Sequence, residues 1–427
     1  MTPPAPSTAD THGISGLSDR LDQRLADADA ALAHDYPGER GTRQPVHTVY
    51  VPADRFTATT VADWGREALA TLDAYGATAG ELAKAAGMPP ELTAAVYPLV
   101  RRKLEREPIE DLRIDLEDGY GAHPDADEDA AVVAAARALA RSVEEGTAAP
   151  FHGIRFKSFE APTRRRGLRT FDLFLGELVE AGGLTDGFRL TLPKVTSVDQ
   201  VDAMVTACEW LEQSYGLAEG RLGFEIQVET PQAILGADGR ALVAPMIQAA
   251  QGRCTGMHYG TYDYSASTGI AAAYQSMEHP AADHAKAVMQ VAAAGTGVEL
   301  SDGSTNVLPV GSPDAVRDGW RLHARLVRRS LERGYYQGWD LHPAQLPTRY
   351  ASTYAFYRDG FTLAAARLRA YLGHQDSQFL DEPATAVALA GFVLRGLECG
   401  AVDEAELADD IGVERLRLAQ LARRRAS

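Results

Sequence analysis

The stretch LGFEIQVETPQAI, residues 222–234, decides the fold. Apolar and polar side chains alternate from residue 222 to residue 229, as they do in a β-strand, and Pro231 follows where the first turn of a helix begins. Glu229 ends the alternating run, and Glu225 and Gln227 lie on its face. The stretch therefore predicts a strand that turns directly into a helix, with a carboxylate at its carboxyl end.

The same pattern of a short apolar or β-branched run followed by a helical segment recurs along the chain. Helix starts are marked at Ser197 and at Ser312-Pro313, and a stop is marked at Gly334. Strands that alternate with helices of ten to twenty residues indicate parallel βαβ units, and eight of them favour a closed (β/α)₈ TIM barrel of the α/β class. The predicted strands are residues 47–52, 112–117, 153–157, 188–194, 222–229, 254–260, 305–310 and 338–342.

The barrel is predicted to carry extensions at both ends. Residues 1–45 are expected to form a partly disordered N-terminal extension. Residues 46–346 form the barrel, with a helical insertion at about 57–108 that contains helices at 59–74 and 80–105. Residues 347–427 are expected to form a C-terminal helical appendage with helices at 348–372, 383–400 and 404–425.

Composition excludes several classes of protein. The 427 residues include 42 basic and 59 acidic ones, a formal charge of −17, which argues against nucleic-acid and membrane partners. No apolar run approaches a membrane span, and the N-terminus lacks the features of a secretory signal. The three cysteines include no C-x-x-C pair, so a disulfide framework is not expected. These observations predict a cytoplasmic protein.

Polar residues end most of the predicted strands, where a parallel barrel places its catalytic groups. Glu229 and Asp263 follow neighbouring strands, and two carboxylates with water and substrate oxygens are a usual Mg²⁺ site. Alternatively, each carboxylate caps a helix N-terminus. Arg155 lies inside an apolar run and either binds an anionic group or forms a buried ion pair with Glu117 or Asp118. Lys194 is compatible with a structural pairing to a strand carboxylate, Glu225 or Glu229.

Read together, the strand ends resemble the citrate lyase beta-subunit-like branch of the HpcH/HpaI aldolase superfamily. Six motifs occur in that family's order from residue 115 to residue 345. They are DLEDGYG at 115–121, GIRFKS at 153–158, LTLPKV at 190–195, QVETPQAI at 227–234, HYGTYDYSAS at 258–267 and LHPAQ at 341–345. One motif departs from the family, because its R-V-N is here Arg155-Phe156-Lys157.

The resemblance implies a Mg²⁺-dependent barrel that makes or breaks carbon–carbon bonds next to a carboxylate. It implies Glu229 and Asp263 as metal ligands and Arg155 as the catalytic group that binds the oxyanion. Glu117 and Asp118 would hold metal-bound water, and the expected substrate-binding residues are Arg155, Lys157, Lys194, Gly260 and Thr261. In thioester-cleaving members an aspartate from a neighbouring subunit acts as acid/base, and FLDEPATA at 379–386 places Asp381 in a similar context.

The expected activity is a lyase or aldolase reaction, through an enolate, on a small 2-keto or 3-hydroxy acid or its CoA thioester, in a homo-oligomer. GTYDYSAS at 260–267 is also similar to the metal-binding segment of malate synthase, so a condensing enzyme or an acyl-CoA thioesterase is an alternative. A catalytically silent barrel that serves as a binding subunit is a third possibility. The presence of both ligand candidates, the arginine and the acid/base candidate favours an enzyme.

Overall fold

The computed structural model describes residues 12–373 and 382–422. Within them, eight parallel strands run in the order β7-β6-β5-β4-β3-β2-β1-β8, and a bridge from Ser301 to Gln337 brings the two edges together. The predicted TIM barrel is therefore confirmed. The strands are β1 His47–Pro52, β2 Asp111–Asp115, β3 Phe151–Arg155, β4 Phe188–Leu192, β5 Phe224–Val228, β6 Cys254–Tyr259, β7 Glu299–Ser301 and β8 Gly338–Asp340.

Helices follow the strands, precede the barrel and extend beyond it. In the described part of the chain they are α1 His12–Asp35, α2 Thr60–Tyr75, α3 Ala79–Ala86, α4 Pro90–Arg106, α5 Asp125–Glu144, α6 Arg164–Glu180, α7 Val198–Ser214, α8 Pro231–Ile234, α9 Val243–Ala249, α10 Thr261–Ser267, α11 Pro280–Ala293, α12 Pro313–Glu332, α13 Leu346–Leu372, α14 Pro383–Glu398, α15 Glu404–Asp410 and α16 Arg415–Ala422. Across the described ranges, none of these helices has the length and apolarity that a membrane crossing requires.

The seventh strand was predicted in the wrong place. The strand expected at 305–310 lies in the loop after β7, where Val307 and Val310 are exposed. The true strand is the three-residue segment Glu299–Ser301, which pairs with Gly256–His258 of β6. Its single apolar residue gives no alternating pattern, so only the pairing with β6 identifies it as a strand.

Two predicted helices are each interrupted. The helix expected at 80–105 is divided into α3 and α4, because Gly87 ends α3 with a left-handed φ of 68° and Pro90 begins α4. The helix expected at 404–425 is likewise divided into α15 and α16, and Gly412 between them has a φ of 79°.

Side-chain alternation on the strands separates an apolar layer from a charged barrel interior. Leu112 and Ile114 of β2 belong to the apolar core, while Arg113 between them is fully buried among polar groups. The Arg113 guanidinium donates to Thr191 at 3.1 Å and lies 2.7 Å from Glu225. The lower interior is thus filled by compensated charges, and the same face of each strand leads upward to the barrel mouth.

The helix α13 is tied to the barrel by a buried charge network. Asp340 of β8 accepts hydrogen bonds from Arg349, at 2.9 Å from Nη2, and lies 2.7 Å from the His47 ring and 3.0 Å from the His323 ring. Burial opposes ionisation of Asp340, but Arg349 and the two histidines hold its pKa well below the ordinary value. The network fixes the start of α13 against strands β1 and β8.

Candidate active site

The carboxyl ends of β2 to β6 bring together the polar residues that the motifs contain. The strands end earlier than predicted, so Glu117, Lys194 and Glu229 lie in the loops just beyond them. Asp263 lies in the first turn of α10, after β6. Because the strands are parallel, these loops meet at one mouth of the barrel.

Arg155 is held from below by Asp115. The two residues are register partners on β3 and β2, and Nε and Nη2 donate to the two Asp115 oxygens at 2.8 and 2.7 Å. Asp115 also accepts from the backbone N–H groups of Glu117, at 3.0 Å, and Gly119, at 2.7 Å. The principal ion-pair partner is therefore Asp115 rather than Glu117 or Asp118, since Glu117 lies 3.6 Å from Nη1.

Aromatic rings hold the Arg155 guanidinium from the side. Its carbon lies 4.6 Å from the centre of the Tyr50 ring and 5.5 Å from that of Trp339. Nη1 also donates to the Gln227 amide oxygen at 3.3 Å. A guanidinium has five N–H groups, so two remain beyond those used by Asp115 and Gln227.

Glu229 is a buried carboxylate at the mouth, with 1% of its surface exposed. Its oxygens accept from the Lys194 backbone N–H and from the Gln227 amide, each at 2.7 Å. Burial raises the pKa of Glu229 to about 8, with Lys194 opposing the rise and Asp263 adding to it. Neither Glu229 nor Asp263 caps a helix: the caps of α8 and α10 are Thr230 and Gly260 and make no side-chain cap bond.

Lys194 lies among the carboxylates of the mouth. Its ammonium is 2.8 Å from Glu117, 2.7 Å from Asp118 and 3.8 Å from Asp263. The expected pairing with Glu225 or Glu229 through the side chain was wrong, because Glu229 is bound by the backbone N–H instead. Lys194 has a left-handed φ of 51°, a strained conformation for a residue with a Cβ, and its backbone N–H donates to Glu229.

The remaining predicted site residues are Lys157, Thr261, Gly260 and Asp381, and the structure describes the first three. The Lys157 ammonium binds Glu128 of α5 at 2.7 Å and the Leu116 carbonyl at 2.9 Å. Thr261 is buried, and its hydroxyl has no hydrogen-bond partner among the residues described. Gly260 is packed on Glu229, since a Cβ there would lie 2.5 Å from the Glu229 Cβ. Asp381 lies outside the described residues.

Sequence reasoning missed four residues that form the site: Asp115, Gln227, Tyr50 and Trp339. Asp115 opens the DLEDGYG motif and stands two residues before Glu117, so the period of a strand already placed it on the interior face. Gln227 was assigned to that face but was given no role. Tyr50 and Trp339 carry no sequence signal, because only barrel closure brings β1 and β8 beside Arg155.

The donor set at the mouth suits a hard divalent cation. Glu229 and Asp263 offer carboxylate oxygens, which Mg²⁺ prefers. Among the described residues, the Lys194 ammonium forms its salt bridges with Glu117, Asp118 and Asp263 and not with Glu229. Within residues 12–373 and 382–422 no three His, Cys, Asp or Glu side chains are grouped as a metal site. Mg²⁺ is commonly bound by one or two carboxylates with water and substrate, so two ligands fit that ion and not zinc.

A cavity of about 300 Å³ lies at the opposite end of the barrel. It is bordered by the segment before β1, the start of β7 and helix α14, and its Arg395 pairs with Glu39 at 2.7 Å. The motif residues do not line it. The chemistry of the strand ends therefore places the candidate site at the carboxyl mouth and not in this cavity.

Comparisons with known proteins agree with this barrel. A family model described as Domain of unknown function (DUF6986) matches residues 25–426. A citrate lyase from Burkholderia xenovorans LB400 is 17% identical, with a TM-score of 0.58, over 88% of this chain and 100% of that one. A malate synthase from Haloferax volcanii, in a lead(II) complex, is 15% identical, with a TM-score of 0.50, over 90% of each chain.

A HpcH/HpaI aldolase/citrate lyase family protein from Burkholderia cenocepacia J2315 is 15% identical, with a TM-score of 0.40, over 76% of this chain and 93% of that one. A search of curated proteins finds no match. The citrate lyase and the malate synthase have the fold of this chain, so the resemblance to citrate lyase beta-subunit-like barrels is confirmed at the level of the fold.

Proposed function

The chain belongs to the DUF6986 family, and we propose that it is a Mg²⁺-dependent carbon–carbon lyase. Its substrate is a small 2-keto or 3-hydroxy acid, or the CoA thioester of such an acid, and the bond is broken or made through an enolate. The observation that carries the proposal is that the carboxylates of the buried Glu229 and the half-exposed Asp263 lie near each other at one mouth, with the Arg155 cation close to Glu229.

In this proposal Glu229 and Asp263 would hold the metal ion, which usually takes its remaining ligands from water and substrate. When bound, Mg²⁺ acts as a Lewis acid that lowers the energy of a developing enolate oxygen. The carboxylates of Glu117 and Asp118 hold the Lys194 ammonium. Lys194 in turn fixes Glu229 through its backbone N–H.

Arg155 binds and orients the substrate carboxylate or carbonyl. Asp115, Tyr50 and Trp339 hold the guanidinium in place before substrate arrives, so little reorganisation is needed when negative charge develops. The two N–H groups that Asp115 and Gln227 leave unused are the donors available for this contact. A proton on the substrate hydroxyl or carbon is moved by a separate carboxylate, and Asp381 of a neighbouring subunit is our candidate.

Proton exchange tests enolate formation without knowledge of the second substrate. The purified full chain with Mg²⁺ in D₂O is incubated with pyruvate, oxaloacetate or acetyl-CoA, and loss of the proton signal next to the carbonyl is followed by NMR. Exchange that needs Mg²⁺ and is abolished by Arg155→Gln supports the proposal. Exchange of acetyl-CoA alone would favour the malate-synthase-like condensation.

Calorimetric titration of the metal-stripped protein with Mg²⁺ tests the ligand set separately. Glu229→Gln and Asp263→Asn each remove a negative oxygen ligand and are expected to weaken Mg²⁺ binding at least about tenfold. Asp314→Asn removes an exposed carboxylate that pairs with Arg317 on α12 and serves as the control. Unchanged Mg²⁺ affinity in both site variants refutes the site, and bound Mg²⁺ without proton exchange of any substrate would indicate a silent barrel.

A further inference from the structure

Helix α1 presents an apolar stripe that the rest of the described chain leaves uncovered. Every residue from 16 to 34 is exposed. Four leucines lie on one side of the helix: Leu17, Leu21, Leu25 and Leu32 are 55%, 47%, 49% and 55% exposed. In proteins, a helix owes most of its stability to the packing of its apolar face, so α1 needs a partner to pack against.

The segment directly after α1 is attached to the amino-terminal end of the barrel. The backbone N–H of Gly38 donates to the Gly295 carbonyl at 2.8 Å, and Arg40 donates to the Gly252 carbonyl, also at 2.8 Å. The helix therefore projects from a point that is anchored on the barrel. Its partner must reach the uncovered stripe from outside.

The stripe has the spacing of a coiled coil. Three of its leucines fall into a heptad once Ala28 is included: the intervals between Leu21, Leu25, Ala28 and Leu32 are four, three and four residues. This spacing assigns Leu25 and Leu32 to a positions and Leu21 and Ala28 to d positions. Arg24 then precedes an a position, and Asp29 follows a d position. These are the g and e positions, where coiled coils form ion pairs between helices.

The charges beside the stripe select the orientation of the partner. Arg20 and Arg24 lie on one flank, while Asp22 and Asp29 lie on the other. In a parallel pair of identical helices, the arginine flank of one helix lies against the aspartate flank of the other. In an antiparallel pair, the two arginine flanks lie against each other, and so do the two aspartate flanks. Parallel self-association therefore brings arginine against aspartate, and antiparallel association would bring like charges together.

The same charges disfavour a lipid surface as the occupant. From residue 16 to residue 35 the helix has five aspartates and two arginines. Interfacial helices that bind anionic membranes are instead rich in Lys and Arg on their polar face.

We propose that α1 pairs in parallel with α1 of a second copy of this chain, with Arg24 of one copy facing Asp29 of the partner subunit. A two-fold axis along the pair makes this ion pair occur twice. The leucines of the two helices pack against each other, and Ala28 of each lies at the centre of the seam. The proposal is independent of the reaction at the barrel mouth.

Cross-linking through one introduced thiol tests the pairing. The three native cysteines are all buried, so an introduced cysteine is the reactive one. Ala28→Cys is expected to form a disulfide-linked dimer under mild oxidation, because d positions meet their own counterparts in a parallel pair. Ala26→Cys, on the outer face of the helix, is the control and should remain monomeric on a non-reducing gel.

Charge reversal tests the orientation in the same assay. In the Ala28→Cys background, Arg24→Asp should slow the cross-link about tenfold, because it places two acidic pairs in the seam. Adding Asp29→Arg restores opposite charges and should return the rate to within about threefold of the parent. Asp19→Arg, on the outer face, should change nothing. Absence of the Ala28→Cys dimer, or failure of the double reversal to restore it, overturns the proposal.

Discussion

Replacing Asp115 by asparagine should destabilise the barrel more than any comparable change at its surface. The substitution keeps the shape of the side chain and removes its negative charge. Arg155, which is 4% exposed, then loses the carboxylate that accepts both of its closest hydrogen bonds. Removing one partner of a buried ion pair leaves a buried charge uncompensated, which costs about 3–5 kcal/mol.

Replacing the other member of the pair, Arg155, should cost less unfolding free energy. Arg155→Met removes the cation, but Asp115 still accepts the backbone N–H groups of Glu117 and Gly119. Its negative charge is therefore partly stabilised, and we expect a loss of about 2–3 kcal/mol. The two substitutions together remove both charges, so the double variant should lose less than the sum, with a coupling free energy of about 2–3 kcal/mol.

Urea unfolding of the four proteins, followed by tryptophan fluorescence, measures this coupling. Asp314 and Arg317 form the matched control, since they pair at 3.0 Å on an exposed helix surface. The same cycle there should give a coupling below about 0.5 kcal/mol. A coupling near zero at Asp115 and Arg155 would refute the conclusion that the pair holds the guanidinium in the barrel.

Further predictions concern pH and close packing. Burial lowers the pKa of His152 to about 4, below its value of 6.5 in an unfolded chain, so the unfolded state binds the proton first as the pH falls. His152 should therefore lower the free energy of unfolding by about 2 kcal/mol as the pH falls from 6.5 to 5. The loss of unfolding free energy between these two pH values should be smaller in His152→Gln than in the parent protein, and an equal loss would contradict the assignment. Gly153→Ala should cost at least about 3 kcal/mol of unfolding free energy, because its Cβ would lie 1.6 Å from the Arg189 carbonyl oxygen of β4. Gly80 lies on α3 with open space around it, so Gly80→Ala should instead raise the free energy of unfolding by about 0.5–1 kcal/mol and with it the thermal midpoint. A lower thermal midpoint in this variant would show that the helix is misplaced.

Most of the fold was predictable because its signals are local. The first strand was predicted with its observed bounds, and six others overlap the observed strands within a few residues. Each signal lies within a few residues of chain. Examples are the alternation in LGFEIQVE, which predicts a strand, and the helix starts at Pro231 and at the serine before Pro313. The short strand Glu299–Ser301 was missed because three residues with one leucine contain no such period.

Part of the site's membership was predictable, but the pairing of its residues was not. The motifs identified Arg155, Lys194 and Glu229, since each follows or lies in a strand that local pattern reveals. Their partners are set by contacts between strands, and such contacts depend on register and closure. Asp115 is the partner of Arg155 because β2 and β3 pair those two residues, a fact that neither segment contains alone.

The sequence by itself therefore determined the order of strands and helices, the barrel class and the polar strand ends. The tertiary structure alone decided that Lys157 binds Glu128 on α5, away from the strand-end carboxylates, and that the Lys194 ammonium lies between Glu117 and Asp118. The physical reason is that a charged side chain takes whichever counter-charge the folded chain brings within a few ångströms. Residues far apart in sequence supply that counter-charge, so only the closed barrel determines which cation meets which carboxylate.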